Sequence, residues 1–397
     1  MTLPAVLELD VAVIGGGIAG LWLLSRLQAA GRRAMLFESG ALGGGQTLAS
    51  QGIIHGGLKY ALDLKLGAAS AALADSPARW RACLAGKGDV DIRAAEILAP
   101  HHLFWVQRAL TSRLTGFFGA RMLRGRVDAL EPADWPALLR QSPQVGAVYQ
   151  LDELVLDVPS LLRALSAPHR DRIRQVDAAL DLERSGDGIS ALRLQRPDGR
   201  PVTVRAACYV FAAGAGNAAV LASLGLGAAR AQSRPLHMLL MDGMPGPLYA
   251  HCFDTGDKPR LTITSHRRAS GSWVWYVGGE LAERGVAMEA GELIRAARAE
   301  FAQLLPQLDL SACRFAGWRV DRAEGATATG ARPEAPVVLR QGNCLIAWPT
   351  KLAMAPQLAD MVLPMLPPAA PEGPLPDLMD WPAPPPAIPI WERVSWS

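Results

Sequence analysis

An apolar run, VLELDVAVIG at 6–15, reads as a short buried strand ending near Ile14. Glycines follow at 15, 16, 17 and 20, and AGLWLLSRLQAAG then reads as a helix closed by Gly31. RAMLFES supplies the next strand, ending in Glu38, so the opening is a βαβ unit. Leu64 to about Leu84 is alanine-rich and reads as helix. Pro100 to Leu123 mixes apolar and basic residues without a domain break, and PADWPALLRQSP reads as a short helix among turns. In YQLDELVLDVPSLLRALSAPH a strand gives way to a helix, with Pro159 near the helix start, where a missing N–H costs little. DAALDLERS and GISALRLQRPDG read as a hairpin feeding another buried strand in RPVTVRAACYVFAAGAG.

From Arg234 to Glu280 the pattern changes. PLHMLLMDG, PLYAHCF, RLTITSH and SWVWYVGG are strand-like pieces between turns, which predicts an antiparallel sheet and a second domain. On such a strand Trp273, Trp275 and Val277 share one face and Val274 and Tyr276 the other. AGELIRAARAEFAQLLPQL has amphipathic helical spacing, CRFAGWRVDRA returns to extended chain, and NCLIAWPTKLAMAPQLADMVLPML runs from strand through loop into helix. From Pro364 onward prolines dominate, predicting a tail that wraps or hangs. The fold class expected is α/β with an α+β second domain: a Rossmann-like nucleotide domain interleaved with an antiparallel sheet.

Composition narrows the function. At 397 residues the chain is long enough for two connected domains. Its 40 basic and 37 acidic residues give no electrostatic reason to expect nucleic acid. Five cysteines, none in a CxxC pair, argue against a disulfide framework or thiolate metal site and for a reducing compartment. Adjacent His101 and His102 lack metal-ligand spacing, so no metal is expected. MTLPAVLELD has acids and no basic n-region, which excludes a signal peptide, and no uncharged stretch reaches the length of a membrane span. The expected location is the cytoplasm, free or peripheral to the inner face of the membrane.

Gly15, Gly17 and Gly20 form G-x-G-x-x-G after a strand and at a helix opening. The first permits a tight turn, the second admits a pyrophosphate, and the third lets helix and strand pack closely. The helix N-terminus adds partial positive charge. Glu38 stands where a carboxylate binds a ribose hydroxyl pair and repels the extra phosphate of NADP. A second glycine element, VFAAGAGN, places Gly214 and Gly216 where the chain can pass close to the same nucleotide. Glycines alone do not separate FAD from NAD.

From about Val6 to Leu363 the chain resembles the FAD-dependent oxidoreductases of the D-amino-acid oxidase type, also called the glycine oxidase or DAO superfamily. The resemblance rests on the first glycine motif with Glu38, the segment from Gly43 to Gly57, AAGAGN, and the late elements AGWR and WPTKLAMAPQLAD. SQGIIHGGLKY is also similar to segments of FAD-dependent glycerol-3-phosphate and L-2-hydroxyglutarate dehydrogenases. Val320 replaces the proline usual after the glycine–arginine element of the glycerol-3-phosphate enzymes, and their C-terminal helical domain has no counterpart.

The resemblance implies FAD, and a division into an FAD-binding domain at 1–80, 149–233 and 313–363, a substrate domain at 81–148 and 234–312, and a tail at 364–397. Gly15, Gly17, Gly20, Glu38, Thr47, Ser50, Gln51, Gly56, Gly57, Gly214, Gly216, Lys351 and Leu352 become the cofactor-binding candidates. His55 is the candidate base beside the flavin, because imidazole accepts a proton near neutrality. Arg319 is the candidate fork for a carboxylate or phosphate. Lys351 is placed at the flavin pyrimidine, before a helix start, and Tyr276 among the residues of a sheet that roofs the substrate. Lys59 is a further candidate for steadying a substrate anion.

Three functions follow from these expectations. The leading one is an enzyme passing hydride to FAD from a small anionic CH–OH donor, a 2-hydroxy acid or polyol phosphate. The second is oxidation of the CH–NH group of an amino acid or secondary amine. The third is a flavin-binding subunit without turnover. The electron acceptor is left open among oxygen, a quinone and a carrier protein.

Overall fold

The computed structural model describes residues 5–56, 75–111, 127–227, 230–254, 258–369, 378 and 380–397. Gly57, Lys59 and most of the alanine-rich stretch after them lie outside the described residues. In chain order the strands begin with β1 (Ala5–Ile14), β2 (Ala34–Glu38), β3 (Ile53–Ile54), β4 (Ile97–Ala99), β5 (His102–Gln107), β6 (Val127–Ala129) and β7 (Val145–Leu151). Next come β8 (Leu154–Leu156), β9 (Ile173–Gln175), β10 (Asp181–Ser185), β11 (Gly188–Gln195) and β12 (Pro201–Phe211). Then follow β13 (Ala231–Met244), β14 (Ala250–Phe253), β15 (Pro259–Arg267), β16 (Trp273–Gly278), β17 (Arg314–Gly325), β18 (Val337–Gln341) and β19 (Cys344–Trp348). Four helices matter here: α1 (Ile18–Ala29), α2 (Glu280–Arg284), α3 (Ala290–Leu304) and α4 (Ala355–Val362).

The first sheet runs β10-β11-β12-β1-β2-β9, with β19 beside the C-terminal half of β12 and β18 outside it. β1 pairs in parallel with both β12 and β2. Its residues are buried on both faces: Val11 and Val13 pack with Leu21, Leu24 and Leu27 of α1, while Ala12 and Ile14 pack with Phe211 and Ile346. That double burial explains the near-continuous apolar run in the sequence.

The second sheet has the order β17-β13-β16-β15-β14-β5-β7-β6. It is antiparallel except at β14 and β5, which run parallel, a departure from the purely antiparallel expectation. One face carries Leu239, Met241, Trp275, Val277 and Phe315 against Leu293, Ala297 and Phe301 of α3. The opposite face carries Met238, Leu240, Val274, Tyr276 and Ala316 and looks toward the first domain. β3, β8 and β4 form a small sheet between the two.

One expected boundary moves. β17 pairs with β13 over twelve residues, from Ala231↔Gly325 to Asp242↔Arg314, and so belongs to the second sheet rather than to the FAD-binding part. The chain re-enters the first sheet only at β18. The proline-rich tail wraps. Leu42 N–H donates to Pro385 O and Ala387 N–H to Leu42 O, then Ser397 exchanges both backbone hydrogen bonds with Phe315. Trp381 Nε1 donates to Gln175 O at 2.6 Å, so the tail ties both domains. All five cysteines are free and buried.

His102 and His266 are buried. Burial pushes His266 down to about 3, and burial with the neighbouring His251 and His55 holds His102 well below the usual imidazole value. Both imidazoles are neutral when folded and take a proton only on unfolding. The unfolded chain therefore binds more protons below pH ~6.5, and stability rises with pH there. Each histidine is expected to approach ~1.4 kcal/mol per pH unit between about pH 6.5 and 4.5. Urea unfolding across that range checks this, and His266→Phe should remove one histidine's share of the slope. A flat profile would contradict the burial.

Candidate active site

A cavity of about 1430 Å³ lies between the two sheets, large enough for an extended dinucleotide together with a small donor. At one end the β1–α1 turn forms its floor. Gly15 has φ +114°, and a Cβ there would stand 2.5 Å from Ala212 O. Gly17 is the N-cap of α1 and makes no side-chain cap. Ile18 N–H donates to Thr47 Oγ1 at 3.0 Å, which fixes the 46–51 segment against the helix start. Glu38 ends β2 with Oε2 accepting Gly16 N–H and Oε1 accepting Gly40 N–H, both at 2.6 Å. Gly15, Gly17, Glu38, Thr47, Ser50, Gln51, Gly214 and Gly216 all line the cavity.

These residues fit FAD. A helix start and a glycine turn face the cavity where a pyrophosphate binds, and a carboxylate stands at the end of β2 for a ribose. The Ser50 hydroxyl is buried, lines the cavity and has no hydrogen-bond partner among the described residues. Gly20 and Gly56 are absent from the lining. Gly20 serves the turn instead, since its Cβ would lie 1.9 Å from Gly15 O. Gln51 both lines the cavity and clamps the second sheet, donating through Nε2 to Thr262 O and Tyr276 O.

The late loop also reaches the cavity. Thr350 is the one non-glycine residue with positive φ among those described, at 64°, and is followed by Lys351 and Leu352, both lining. Lys351 does not directly precede an α-helix. A single 3-10 turn at Leu352–Met354 intervenes before α4.

His55 lines the other end. Its Nδ1 is 3.1 Å from Glu153 Oε2, and Gly56 N–H donates to Glu153 Oε1 at 2.9 Å. His251, on β14, lies parallel to His55 with ring centroids 6.2 Å apart, and its Nδ1 is 2.9 Å from Thr262 Oγ1. His102 packs behind His251 at 4.3 Å. Burial pushes the Glu153 carboxyl up, but the charge and hydrogen bond of His55, with His251 and Gly56 N–H, outweigh it and hold the group below its ordinary range. His55, Glu153 and His251 bring one ligand atom each within 4.8 Å, a convergence that histidine spacing in the sequence did not reveal.

Two expected reacting residues are engaged by the protein itself. Tyr276 is fully buried and outside the lining, and its hydroxyl donates to Ala49 O at 2.9 Å. It is a strut between the domains, because its face of β16 abuts the 49–51 segment. Arg319 is among the residues that line the cavity, but its guanidinium is engaged by the protein's own backbone. Its guanidinium donates to Val286 O at 2.9 Å and Met288 O at 2.7 Å, beside Glu289. Strand alternation is the reason: Arg319 is on the α3 side of β17, opposite its register partner His237, which is itself turned to Gly285 O and Met288 O.

The family model for FAD dependent oxidoreductase, DAO, matches residues 10–347. The chain belongs to the DAO family. It is an FAD-dependent oxidoreductase. It is 44% identical, over 98% of its length and 99% of the relative's, to the probable FAD-dependent oxidoreductase PA4991 of Pseudomonas aeruginosa. The crystal structure of that protein covers 98% of this chain and 99% of its own, with a TM-score of 0.84 and 40% identity. Glycine oxidase from Geobacillus kaustophilus shares the fold at a TM-score of 0.64 and 17% identity, covering 91% of this chain and 95% of its own. A glycerol-3-phosphate dehydrogenase of Pseudomonas aeruginosa is 29% identical over 52% of this chain and 40% of its own length. No helix among the described residues is long and apolar enough to cross a membrane.

Proposed function

We propose that this DAO-family enzyme oxidises the CH–NH group of a small amino acid or secondary amine that carries an acid group. The observation that carries the reading is the hydrogen-bonded His55–Glu153 pair in a cavity that Arg319, Arg322 and Lys351 also line. A buried carboxylate draws a substrate ammonium, and cations draw its acid, so the cavity complements a zwitterion. The glycine oxidase likeness supports the same donor class.

A proton on His55 Nδ1, shared with Glu153, leaves Nε2 as an acceptor. His55 then takes one ammonium proton, exposing the nitrogen lone pair that assists C–H cleavage. Bound FAD supplies the two-electron acceptor. The carbon loses hydrogen with its bonding pair to that acceptor, leaving an iminium that water hydrolyses to a carbonyl acid and ammonia, or an amine where the donor is a secondary amine. Oxygen, a quinone or a carrier protein takes the electrons onward.

A CH–OH donor, a 2-hydroxy acid or polyol phosphate, is the second reading. A histidine–carboxylate base is suited to an alcohol proton, and the glycerol-3-phosphate dehydrogenase match favours it. Anaerobic bleaching of the holoenzyme with matched pairs (alanine against lactate, sarcosine against glycolate, with glycerol 3-phosphate) separates the two. Amines are expected to bleach the flavin at least ~100-fold faster than their hydroxy counterparts. Faster bleaching by the hydroxy acids or phosphate reverses the assignment.

A further inference from the structure

Three side chains of metal-binding type meet at the His55 end of the cavity. His55 Nδ1 stands 3.1 Å from Glu153 Oε2, and His251 completes a set in which each residue offers one ligand atom within 4.8 Å of the other two. All three line the cavity, so an ion can reach them. Two of the ligands are held by a further partner, as metal ligands commonly are. Thr262 Oγ1 lies 2.9 Å from His251 Nδ1, which fixes that ring and, with the proton on Nδ1, leaves Nε2 as the ligating nitrogen. Gly56 N–H donates to Glu153 Oε1, which leaves Oε2 to the ion. Glu153 and His251 are buried, so the carboxylate faces the ion with little competition from water.

Two imidazoles and one carboxylate suit zinc and its neighbours, whereas magnesium and calcium take all-oxygen sets. Tetrahedral zinc, with bonds of about 2.0–2.2 Å, holds its ligand atoms roughly 3.3–3.6 Å apart. The His55–Glu153 edge is already that short, and the wider edges close by about an ångström of side-chain rotation. A fourth position is left to the cavity, as in other three-ligand zinc sites. The ligands come from three distant segments, which is why histidine spacing along the chain led to the expectation of no metal.

We propose that His55, Glu153 and His251 bind a divalent transition metal of the zinc class, and that the bound ion blocks turnover. The site stands on the cluster alone. The block rests on the proposed function: an ion between His55 Nδ1 and Glu153 takes the place of their shared proton and leaves the ring proton on Nε2, where the base must accept.

The test titrates zinc chloride into the FAD-loaded enzyme by calorimetry, with cobalt chloride in parallel for the absorption of a tetrahedral site beyond the flavin band. FAD per chain reports folding in each variant. One zinc per chain is expected, and His251→Gln should weaken its binding at least ~100-fold while FAD is kept. Thr262→Val removes only the orienting hydroxyl and should weaken it about 10-fold, which keeps the site testable if His251→Gln fails to fold. His169→Gln, outside the cluster, should bind zinc as the wild type does. Zinc should also stop anaerobic bleaching, and a chelator should restore it. No zinc bound at millimolar concentration, or equal affinity in His251→Gln, Thr262→Val and wild type, would overturn the site. Zinc held there while bleaching continues would overturn the block, and with it His55 as the base. If only hydroxy acids bleach and zinc stops them, the CH–NH reading fails and this inference stands.

Discussion

Replacing Gly20 by alanine is expected to give a folded but colourless protein. The new Cβ would stand 1.9 Å from Gly15 O and 3.3 Å from Leu36 Cδ1. Neither neighbour is free to retreat. Gly15 is held by its N–H to Phe37 O, and its carbonyl follows a backbone at φ +114° that packs against Ala212. The relief available is to lift α1 off the turn, which moves Ile18 N–H from Thr47 and withdraws the helix start from the cavity. Overpacking of this kind costs about 1–3 kcal/mol, too little to unfold a domain with an extensive core. The cofactor loses more, because the donors at the helix start no longer converge on its phosphates. FAD occupancy by absorbance should fall at least ~10-fold while far-ultraviolet circular dichroism is kept. A fully yellow Gly20→Ala protein with normal dichroism would place the cofactor elsewhere.

The nucleotide half was legible because its determinants are local. A strand, three glycines at fixed spacing and a helix occur within one stretch, and Gly15 and Gly20 each answer a backbone contact that a Cβ would break. The second sheet was legible as strands but not as faces. Period two divides β16 into Trp275 and Val277 against Val274 and Tyr276, yet both sets are apolar, so only long-range packing against α3 decides which is inner. The same ambiguity displaced the anion candidate. A glycine–arginine pair drew attention to Arg319, whose guanidinium the fold turns to Val286 O and Met288 O. β17 was read with the first domain for a related reason: nothing in CRFAGWRVDRA tells of its twelve-residue pairing with β13.

The histidine end shows what a sequence withholds. His55 was visible beside its glycines, but its partner Glu153 lies 98 residues away in the turn of LDELV. One cue exists: an acid interrupting two apolar strand halves at a position that becomes buried. His251 and His102 arrive from β14 and β5, which pair in parallel only because the sheet brings distant segments together.

That convergence carries the second large effect. Glu153→Gln preserves shape but exchanges one carboxylate oxygen for an NH₂ donor. Gly56 N–H requires an acceptor, so the amide oxygen turns to it and the NH₂ faces His55 Nδ1. Nδ1 must then accept, which moves the ring proton to Nε2 and leaves the cavity side of His55 with a donor where a base is needed. The bleaching rate is expected to fall at least ~100-fold, with the half-saturating donor concentration moving far less. A purely packing role for Glu153 would not split the two in this way. Stability supplies an independent readout. The wild-type carboxyl is held below its ordinary range, so its contribution is present above pH ~4.3 and is lost as pH falls through the folded value. The glutamine variant lacks that titration, and its acid unfolding should be less steep below about pH 4. An unchanged bleaching rate in Glu153→Gln would remove the pair from the chemistry, whatever the acid profile shows.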